Sequence, residues 1–505
     1  MDNYSTANSR STPFPLSSNL APNIKEIDTF RIEKIVEKIK SQTPKISTFD
    51  KFGPNVRQGY KPGPVLYYED HRSIALSTNR ASNHYQYRFL LLARENDILL
   101  IEKKRTKEYE KYCRETLDLP SPDIICLKGK ETFSPLAKRC IDSPKSMKKL
   151  VDVAKINGCL NIMPYINTGW TWVLGQRIAE LANVTVYIMA PPPWLTQKAN
   201  DKLWFSERLV ECLGVSSLPR TYYAFGPTAL AGKILRLAKK HTKVVVKIPS
   251  SASSMGNIVI DTSHVKTMTI SDLKKYILSH IHFSGSYNIY PLAVSVWDSD
   301  VLTSPSLQVW IPLQEEGRPI VEGLFEQALD PITHSFIGAR PAQLETELKE
   351  RLIYEVSVIA SLFQKLGYYG RCSIDAVVTN RKVKQEIHWI DCNARWGGVS
   401  IPMTISQKLT GNWRKFLKFI IQSNTHQSTY PKKDFINATN HLRFDPKGEN
   451  KGIVIMNPPQ YESLTYHDYM ILAKNSESSN LIFRDVDRIS KHLLKKWEKL
   501  VQFGS

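Results

Sequence analysis

The sequence predicts a mixed α/β fold, because short apolar runs of strand length alternate with segments of helical period. YRFLLLA (87–93) and DILLIE (97–102) are compact apolar runs typical of buried strands. Residues 171–193 then give a helical period, the strand VTVYIM and a run of prolines that ends it. Alternation of this kind favours an α/β domain, which we expect over residues 86–198.

A second block of helices and strands follows that domain. The helix NDKLWFSERLVECLG ends at Gly214, and glycine often terminates helices. The helix ALAGKILRLAKKH leads into the strand KVVVKIP (243–249), which the loop SSASSMG joins to the strand NIVI. Small polar residues that end in a glycine let backbone N–H groups approach phosphate oxygens. This loop is therefore a candidate phosphate-binding loop.

The rest of the chain predicts further strands around one long amphipathic helix. That helix, residues 343–367, carries an apolar stripe and ends at a glycine. Two strands around a polar connection follow it, in GRCSIDAVVTNRKVKQEIHWIDCNARWGG. The other expected elements are strands at 306–313, 319–329 and 451–458, a helix near 411–422 and a basic helix at 488–502.

Length and composition limit the classes of protein to consider. A chain of 505 residues is too long for one core, and roughly 150 residues per domain suggests about three domains. The hydrophobic fraction of 42% is ordinary, and without an apolar run of 18 residues no membrane span is expected. The start of the chain lacks the basic and apolar parts of a secretory signal, so we interpret it as a tail.

Charge and cysteine content point to a cytoplasmic protein that attracts polyanions. The net charge is +20, from 68 basic and 48 acidic side chains. Nucleotides, acidic peptides, nucleic acids and anionic membranes would all be attracted, and the dispersed lysines do not choose among them. The seven cysteines show no metal-like spacing with histidine and fit reduced thiols in the cytoplasm.

A polar stripe lies on the apolar strand near residue 390. Asp391, Asn393 and Arg395 share one face of it, because side chains alternate along a strand. In a hairpin centred on Val383, Asp375 lies opposite Asp391, and two facing carboxylates repel unless a cation lies between them. Two Asp and one Asn suit Mg²⁺. A surface hairpin with two unrelated aspartates is the alternative, and these residues alone leave it open.

Five motifs in order extend this constellation, and together they resemble the ATP-grasp superfamily. They are DK (201–202), VVVKIPSSASSMG (244–256), LQVWIPLQEE (307–316), GYYGRCSIDAVV (367–378) and WIDCNARWGG (389–398). Within the superfamily, the chain is most similar to carboxylate–amine ligases with a preceding α/β domain, of the pheganomycin peptide ligase type. The resemblance covers about residues 160–460. It implies an ATP-grasp fold after a pre-ATP-grasp α/β domain, with a C-terminal extension.

The resemblance also implies a division of the chain. The expected parts are a tail with a peripheral helix (1–85), the pre-ATP-grasp domain (86–198), the N-terminal ATP-grasp subdomain (199–306), the C-terminal ATP-grasp subdomain (307–430) and a C-terminal extension (431–505).

Phosphate contacts are implied for two lysines and one loop. Lys202 and Lys247 match the paired lysines that contact the α and β phosphates of ATP, and an ammonium group is a compact charge suited to phosphate. Solvated surface lysines are the alternative. Ser253, Ser254 and Gly256 lie in the loop that would close over the β and γ phosphates, and a plain serine-rich turn is the alternative there.

The strand LQVWI matches the hinge of the family, where adenine binds. Backbone groups of Gln308, Val309 and Ile311 would contact adenine, and Glu315 would accept hydrogen bonds from the ribose hydroxyls. An ordinary amphipathic strand with an exposed acidic turn is the alternative.

The metal ligands of the family match Asp375, Asp391 and Asn393. Asp391 stands where a glutamate is usual, and its side chain is one methylene shorter, which leaves open whether it would bridge two Mg²⁺ ions or hold one. Arg395 also matches the family pattern. An arginine there would neutralise charge on the transferred phosphoryl group and on an acyl-phosphate.

These parts imply an ADP-forming ligase that uses ATP and Mg²⁺ and joins amino acids or peptides, some of them acidic. Two alternatives are a ligase for a non-peptide or carrier-bound acid and a non-catalytic protein that binds nucleotides or nucleic acid. The full set of lysines, metal ligands and arginine disfavours the non-catalytic alternative, so nucleic acid is not an expected partner. A homodimer is expected from the resemblance.

Overall fold

The structure is a computed structural model in which three β-sheets are packed with helices. It describes residues 15–16, 21–42, 49–74, 85–102, 104–127, 134–248, 257–283, 290–330, 335–381, 384–424, 432–457 and 466–503. The strands in these ranges form sheets of six, four and nine strands. None of the helices in the same ranges has the length and apolar character needed to cross a membrane.

The first sheet is parallel and has the strand order β1-β6-β5-β2-β3-β4. Its strands are β1 (Val56–Gln58), β2 (Val65–Tyr68), β3 (Ile98–Ile101), β4 (Asp123–Cys126), β5 (Cys159–Pro164) and β6 (Thr185–Ile188). Four helices lie between β3 and β6 in the sequence, namely α2 (Lys107–Glu115), α3 (Leu136–Ile141), α4 (Pro144–Asn157) and α5 (Gly169–Ala182). The apolar sides of α3, α4 and α5 pack on this sheet in one core, as the predicted α/β layer requires.

One expectation for this region is wrong, and the sheet contains two strands from an earlier part of the chain. β1 and β2, which precede residue 86, pair in this sheet. The stretch predicted as a strand at 87–93 instead forms a 3₁₀ helix over Tyr85–Leu91. This apolar run cannot join the sheet as a strand beside β3, because β2 and β4 already pair with both sides of β3. Its side chains are buried all the same.

The second sheet is antiparallel and has the order β7-β10-β8-β9. Its strands are β7 (Thr221–Ala224), β8 (Lys243–Lys247), β9 (Asn257–Asp261) and β10 (Leu292–Val296). Helices α6 (Pro193–Ala199) and α7 (Lys202–Leu213) precede it, and α8 (Pro227–Ala238) and α9 (Ile270–Phe283) lie within it in sequence. Val244, Val246 and Val294 on one face pack into the core formed with α8 and α9. Lys247 lies on the opposite face of this sheet.

The third sheet contains nine strands and packs against helices on both faces. Its strands are β11 (Val301–Thr303), β12 (Pro305–Ile311), β13 (Ile320–Leu329), β14 (Phe336–Pro341), β15 (Gly370–Arg381), β16 (Lys384–Asn393), β17 (Leu417–Asn424), β18 (Gly452–Ile455) and β19 (Tyr466–Leu472). The long helix α10 (Thr346–Lys365) packs on one face of this sheet together with α7 and α1 (Glu26–Gln42). The remaining helices are α11 (Ser400–Thr410), α12 (Trp413–Phe416), α13 (Lys432–Ala438) and α14 (Ser476–Phe503).

The C-terminal part differs from the expectation at two points. The helix expected near 411–422 is the short α12 followed by β17, whose residues pair with β14 and β19. The expected C-terminal extension supplies β18 and β19 to the nine-stranded sheet. The basic C-terminal helix begins at Ser476, twelve residues before the expected start at 488.

Candidate nucleotide and metal site

The site is organised by the hairpin of β15 and β16. Asp375 pairs with Asp391, as the sequence predicts. The register shifts directly beside this pair, because Ala376 pairs with Trp389 and Ile390 is an extra residue in β16. A bulge of this kind re-aims side chains along a strand. Without it, Asp375 would face Ile390, so the bulge is what brings the two carboxylates together.

Asp375 is held by a small hydrogen-bonded network. Ser306 Oγ on β12 donates to Asp375 Oδ1 over 2.6 Å, and Asn393 Nδ2 donates to Asp375 Oδ2 over 3.0 Å. Gln308 Nε2 in turn donates to Ser306 Oγ over 3.0 Å. Burial, and next the negative charge of Asp391, raise the pKa of Asp375 to about 6. The network therefore fixes a carboxylate whose ionised form is disfavoured by burial and by Asp391, and the positive charge of Arg395 only partly offsets this effect.

Lys202 supplies a positive charge on the other side of the carboxylate pair. Its Nζ lies 3.1 Å from Asp391 Oδ2, and the residue is 7% exposed. Lys202 is the first residue of α7, and Asp201 caps that helix by accepting hydrogen bonds from the backbone N–H groups of Leu203 and Trp204. The cap fixes where the helix starts, and thereby where the Lys202 side chain leaves it.

Asn200 positions Arg395, and sequence analysis missed it. Asn200 Oδ1 accepts hydrogen bonds from Arg395 Nη1 and, over 3.1 Å, from the backbone N–H of Ala394. Arg395 Nη2 also donates to Asn393 Oδ1. The Asn200 amide is itself fixed by a 2.7 Å hydrogen bond to the Thr196 carbonyl. Its place directly before the helix-capping Asp201 was the available signal.

Lys247 lies close enough to Lys202 and Asp391 for their charges to change its pKa. Burial lowers the pKa of Lys247 to about 8, and the positive charge of Lys202 adds to the decrease, while Asp391 and Asp298 oppose it. On the sheet, Lys247 and Tyr223 both pair with Ala293, so the three side chains share the face that the helices leave open. An anion between the two lysines would relieve their repulsion.

The linker between the second and third sheets is residues 297–300, not the strand LQVWI. β10 ends at Val296 in the second sheet, and β11 begins at Val301 in the third. β12 lies inside the third sheet, where Gln308, Val309 and Ile311 pair with β15, and the first two also pair with β13. Pairing on both sides occupies much of the backbone of Gln308 and Val309, which disfavours adenine contact there. The predicted adenine contact of these residues stays a prediction.

Glu315 does not join the cluster either. It is exposed in the 3₁₀ turn Gln314–Glu316 beyond the end of β12. The linker contains two acidic residues, Asp298 and the exposed Asp300, and Asp298 Oδ2 lies 2.8 Å from His388 Nδ1 on β16. A cavity of about 950 Å³ adjoins this contact and is lined by His388, Glu386 and Tyr223 among others. Ser253, Ser254 and Gly256 lie outside the described residues.

The residues present fit a magnesium ion in part. Two carboxylates and a carboxamide converge, and the raised pKa of Asp375 marks negative charge that a cation would neutralise. No group of three or more His, Cys, Asp and Glu side chains suited to a metal occurs in the described part of the chain. Mg²⁺ takes few protein ligands and completes its shell with water and phosphate oxygens, so this donor set suits Mg²⁺ held together with a nucleotide.

Comparisons with known proteins identify the fold. The family described as the Pre ATP-grasp domain matches residues 86–180. The structure is similar to N5-carboxyaminoimidazole ribonucleotide synthetase (purK) in its ADP complex, with 12% identity, a TM-score of 0.51 and coverage of 85% of this chain and 97% of that one.

Two further solved structures are similar at a TM-score of 0.49. They are the N5-carboxyaminoimidazole synthase of Aspergillus clavatus (9% identity, 85% and 99% coverage) and the L-amino acid ligase of Bacillus licheniformis (13% identity, 85% and 98% coverage). No curated protein matches the sequence significantly. The pre-ATP-grasp match and the similarity to the purK structure confirm the predicted fold: this chain has the ATP-grasp fold, preceded by a pre-ATP-grasp domain.

Proposed function

We propose that this protein is an ATP-dependent carboxylate–amine ligase that joins amino acids or peptides and releases ADP and phosphate. The observation that carries the proposal is the contact of Lys202 with Asp391, which in turn pairs with Asp375. Helix α7 meets the distant hairpin of β15 and β16 there, with opposite charges in contact. A structural role alone would not need two partly buried carboxylates side by side, because each raises the free energy of the other's ionised form.

The nucleotide would lie between the second and third sheets. Lys202 and Lys247 would contact its phosphates, and Asp375, Asp391 and Asn393 would hold Mg²⁺. When bound, Mg²⁺ neutralises phosphate charge and favours transfer of the γ-phosphoryl group. Asp298 in the linker takes the role that the sequence suggested for Glu315, because a carboxylate beside the cleft can accept hydrogen bonds from both ribose hydroxyls.

The reaction follows from this placement. An oxygen of the substrate carboxylate attacks the γ-phosphorus of ATP, the bond to the β-phosphate oxygen breaks, and ADP leaves. The amine nitrogen then attacks the acyl carbon, phosphate leaves, and the amine proton passes to phosphate or solvent. Arg395, held by Asn200 and Asn393, would stabilise the charge on the transferred phosphoryl group.

The cysteines nearest the site have no place in this reaction. Cys372 and Cys392 are both buried in the core between the third sheet and α10. They lie on the opposite face from Asp375, as strand alternation predicts. Transfer through an acyl-phosphate needs no nucleophile from the protein, so their burial is consistent with the proposal.

ADP release measured with pooled substrates tests the proposal. The protein is incubated with ATP, Mg²⁺ and pools of amino acids and short peptides, and new amide products are sought by mass spectrometry. We expect ADP release that depends on one pool, and loss of it in Asp391→Ala but not in Asp152→Asn. Asp152 is an exposed acid on α4 and serves as the matched control.

Parallel pools separate the alternatives. ADP release that depends on a non-peptide acid, with no peptide product, would replace the substrate class and keep the ligase. ATP binding without ADP release in any pool, and no difference between wild type and Asp391→Ala, would contradict the ligase proposal.

A further inference from the structure

A residue of the N-terminal segment contacts a buried carboxylate of the third sheet. The backbone N–H of Leu16 donates a 2.7 Å hydrogen bond to Glu322 Oε1, from a position 306 residues earlier in the chain. The Leu16 side chain is partly buried against the core that contains Trp310, Phe325 and Trp396. The proposed reaction assigns no role to a segment at this position.

Glu322 is placed there by a second bulge. Gln308 pairs with Gly323 and Val309 pairs with Val321, so Glu322 is an extra residue in β13. Its side chain is fully buried and forms an ion pair of 2.8 Å with Arg371. A carboxylate has about four acceptor positions, so the ion pair leaves room for a further donor, and Leu16 supplies one.

Glu322 and the candidate metal site lie along one face of β15, because the ion-pair partner of Glu322 is Arg371. Arg371 lies on the same face of β15 as Asp375, four residues and about 13 Å away along the strand. The guanidinium of Arg371 lies over the Trp396 ring, 4.6 Å from its centroid, and Trp396 directly follows Arg395. Leu16 therefore binds at one end of the face whose other end carries Asp375.

We propose that Glu322 forms a binding site for the N–H group of a peptide that carries an aliphatic side chain, and that Pro15–Leu16 occupy this site in cis. The inference deepens the proposed function. It rests on that proposal for one point, namely that the bound peptide is the substrate that provides the attacking amine. The recognised groups are an N–H donor for the buried carboxylate and an apolar side chain for the adjoining core.

Because Pro15–Leu16 of the same chain occupy the site, a weakly binding peptide is excluded from it. A tethered segment binds at an effective concentration that can reach the millimolar range for a short flexible connection. A free peptide with the same contacts must compete against that concentration. Full-length protein should then bind such a peptide poorly, while a variant whose own segment cannot donate the hydrogen bond should bind it.

The test measures binding of a labelled peptide with the sequence of residues 12–19, TPFPLSSN, to full-length proteins in the absence of ATP. Leu16→Pro removes the backbone N–H, and Leu16→Ile keeps it with an aliphatic side chain of the same size. We expect Leu16→Pro to bind the peptide at least tenfold more tightly than wild type, and Leu16→Ile to behave as wild type.

A second probe checks the N–H group without changing the protein. The same peptide with an N-methylated leucine should bind Leu16→Pro at least tenfold more weakly than the unmethylated peptide. Equal binding of the peptide to wild type and Leu16→Pro, absence of binding to both, or equal binding of the two probes would overturn the inference. These outcomes do not affect the ligase proposal, because ADP release is measured separately.

Discussion

Lys202 Nζ lies 3.1 Å from Asp391 Oδ2, so the start of helix α7 is tied to the bulged end of strand β16. This contact joins the segment before the second sheet to the third sheet and sets the two carboxylates of the hairpin beside a buried ammonium group. The predictions below depend on this arrangement.

Lys247→Met should weaken ATP binding. A hydrogen bond between charged groups contributes about 1.5–3 kcal/mol, which corresponds to roughly a 10- to 150-fold increase in Kd. Lys243→Met is the matched control, because Lys243 lies at the other end of the same strand and is exposed. Calorimetric titration with ATP and Mg²⁺ compares the two variants, and equal affinities would show that Lys247 does not contact the nucleotide.

Asp375→Asn should stabilise the metal-free protein at neutral pH. The folded-state pKa of Asp375 is raised to about 6, so its contribution to stability is present at low pH and is lost as pH rises from about 4 to 6. A shift of about two pKa units corresponds to at most about 3 kcal/mol. Urea unfolding in EDTA should show wild type less stable than the variant at pH 7.5 and similar to it below pH 4. A variant that is less stable at both pH values would contradict the raised pKa.

Asn200→Ala should lower kcat more than it raises the KM for ATP. Arg395 would lose the acceptor that fixes its guanidinium, and the misplacement acts on the step in which phosphoryl charge develops. We expect at least a tenfold decrease, since a hydrogen bond to a charged group contributes about 1.5–3 kcal/mol. Asn200→Asp keeps an acceptor oxygen and should restore part of kcat, whereas a structural role would give equal losses of stability and activity in both variants.

Asp298→Ala should reduce the preference for ATP over 2′-deoxy-ATP. If Asp298 binds the ribose, removing the carboxylate weakens ATP binding but leaves 2′-deoxy-ATP binding nearly unchanged. Asp300→Ala is the control, because Asp300 is an exposed acid in the same linker. Competition binding with both nucleotides provides the comparison, and an equal loss for both would place Asp298 elsewhere in the site.

The sequence predicted one pairing of the candidate site but not its cause. A symmetric register centred on Val383 placed Asp375 opposite Asp391, and the structure has this pair only because Ile390 is an extra residue in β16. The linker could not be found from the sequence, because LQVWI has the apolar pattern of any buried strand. Its position between two neighbouring strands depends on pairing with residues distant in sequence. The homodimer and the cytoplasmic location stay predictions.

The sequence by itself determined the alternation of strands and helices, the polar stripe on β16 and the residue types that suit a nucleotide and Mg²⁺, because these follow from local periodicity and side-chain chemistry. Only the tertiary structure decided that Ile390 and Glu322 are extra residues in their strands, that Asn200 holds Arg395, and that Leu16 reaches Glu322. Bulges and long-range contacts are selected by the packing of the whole sheet, and no local pattern records that packing.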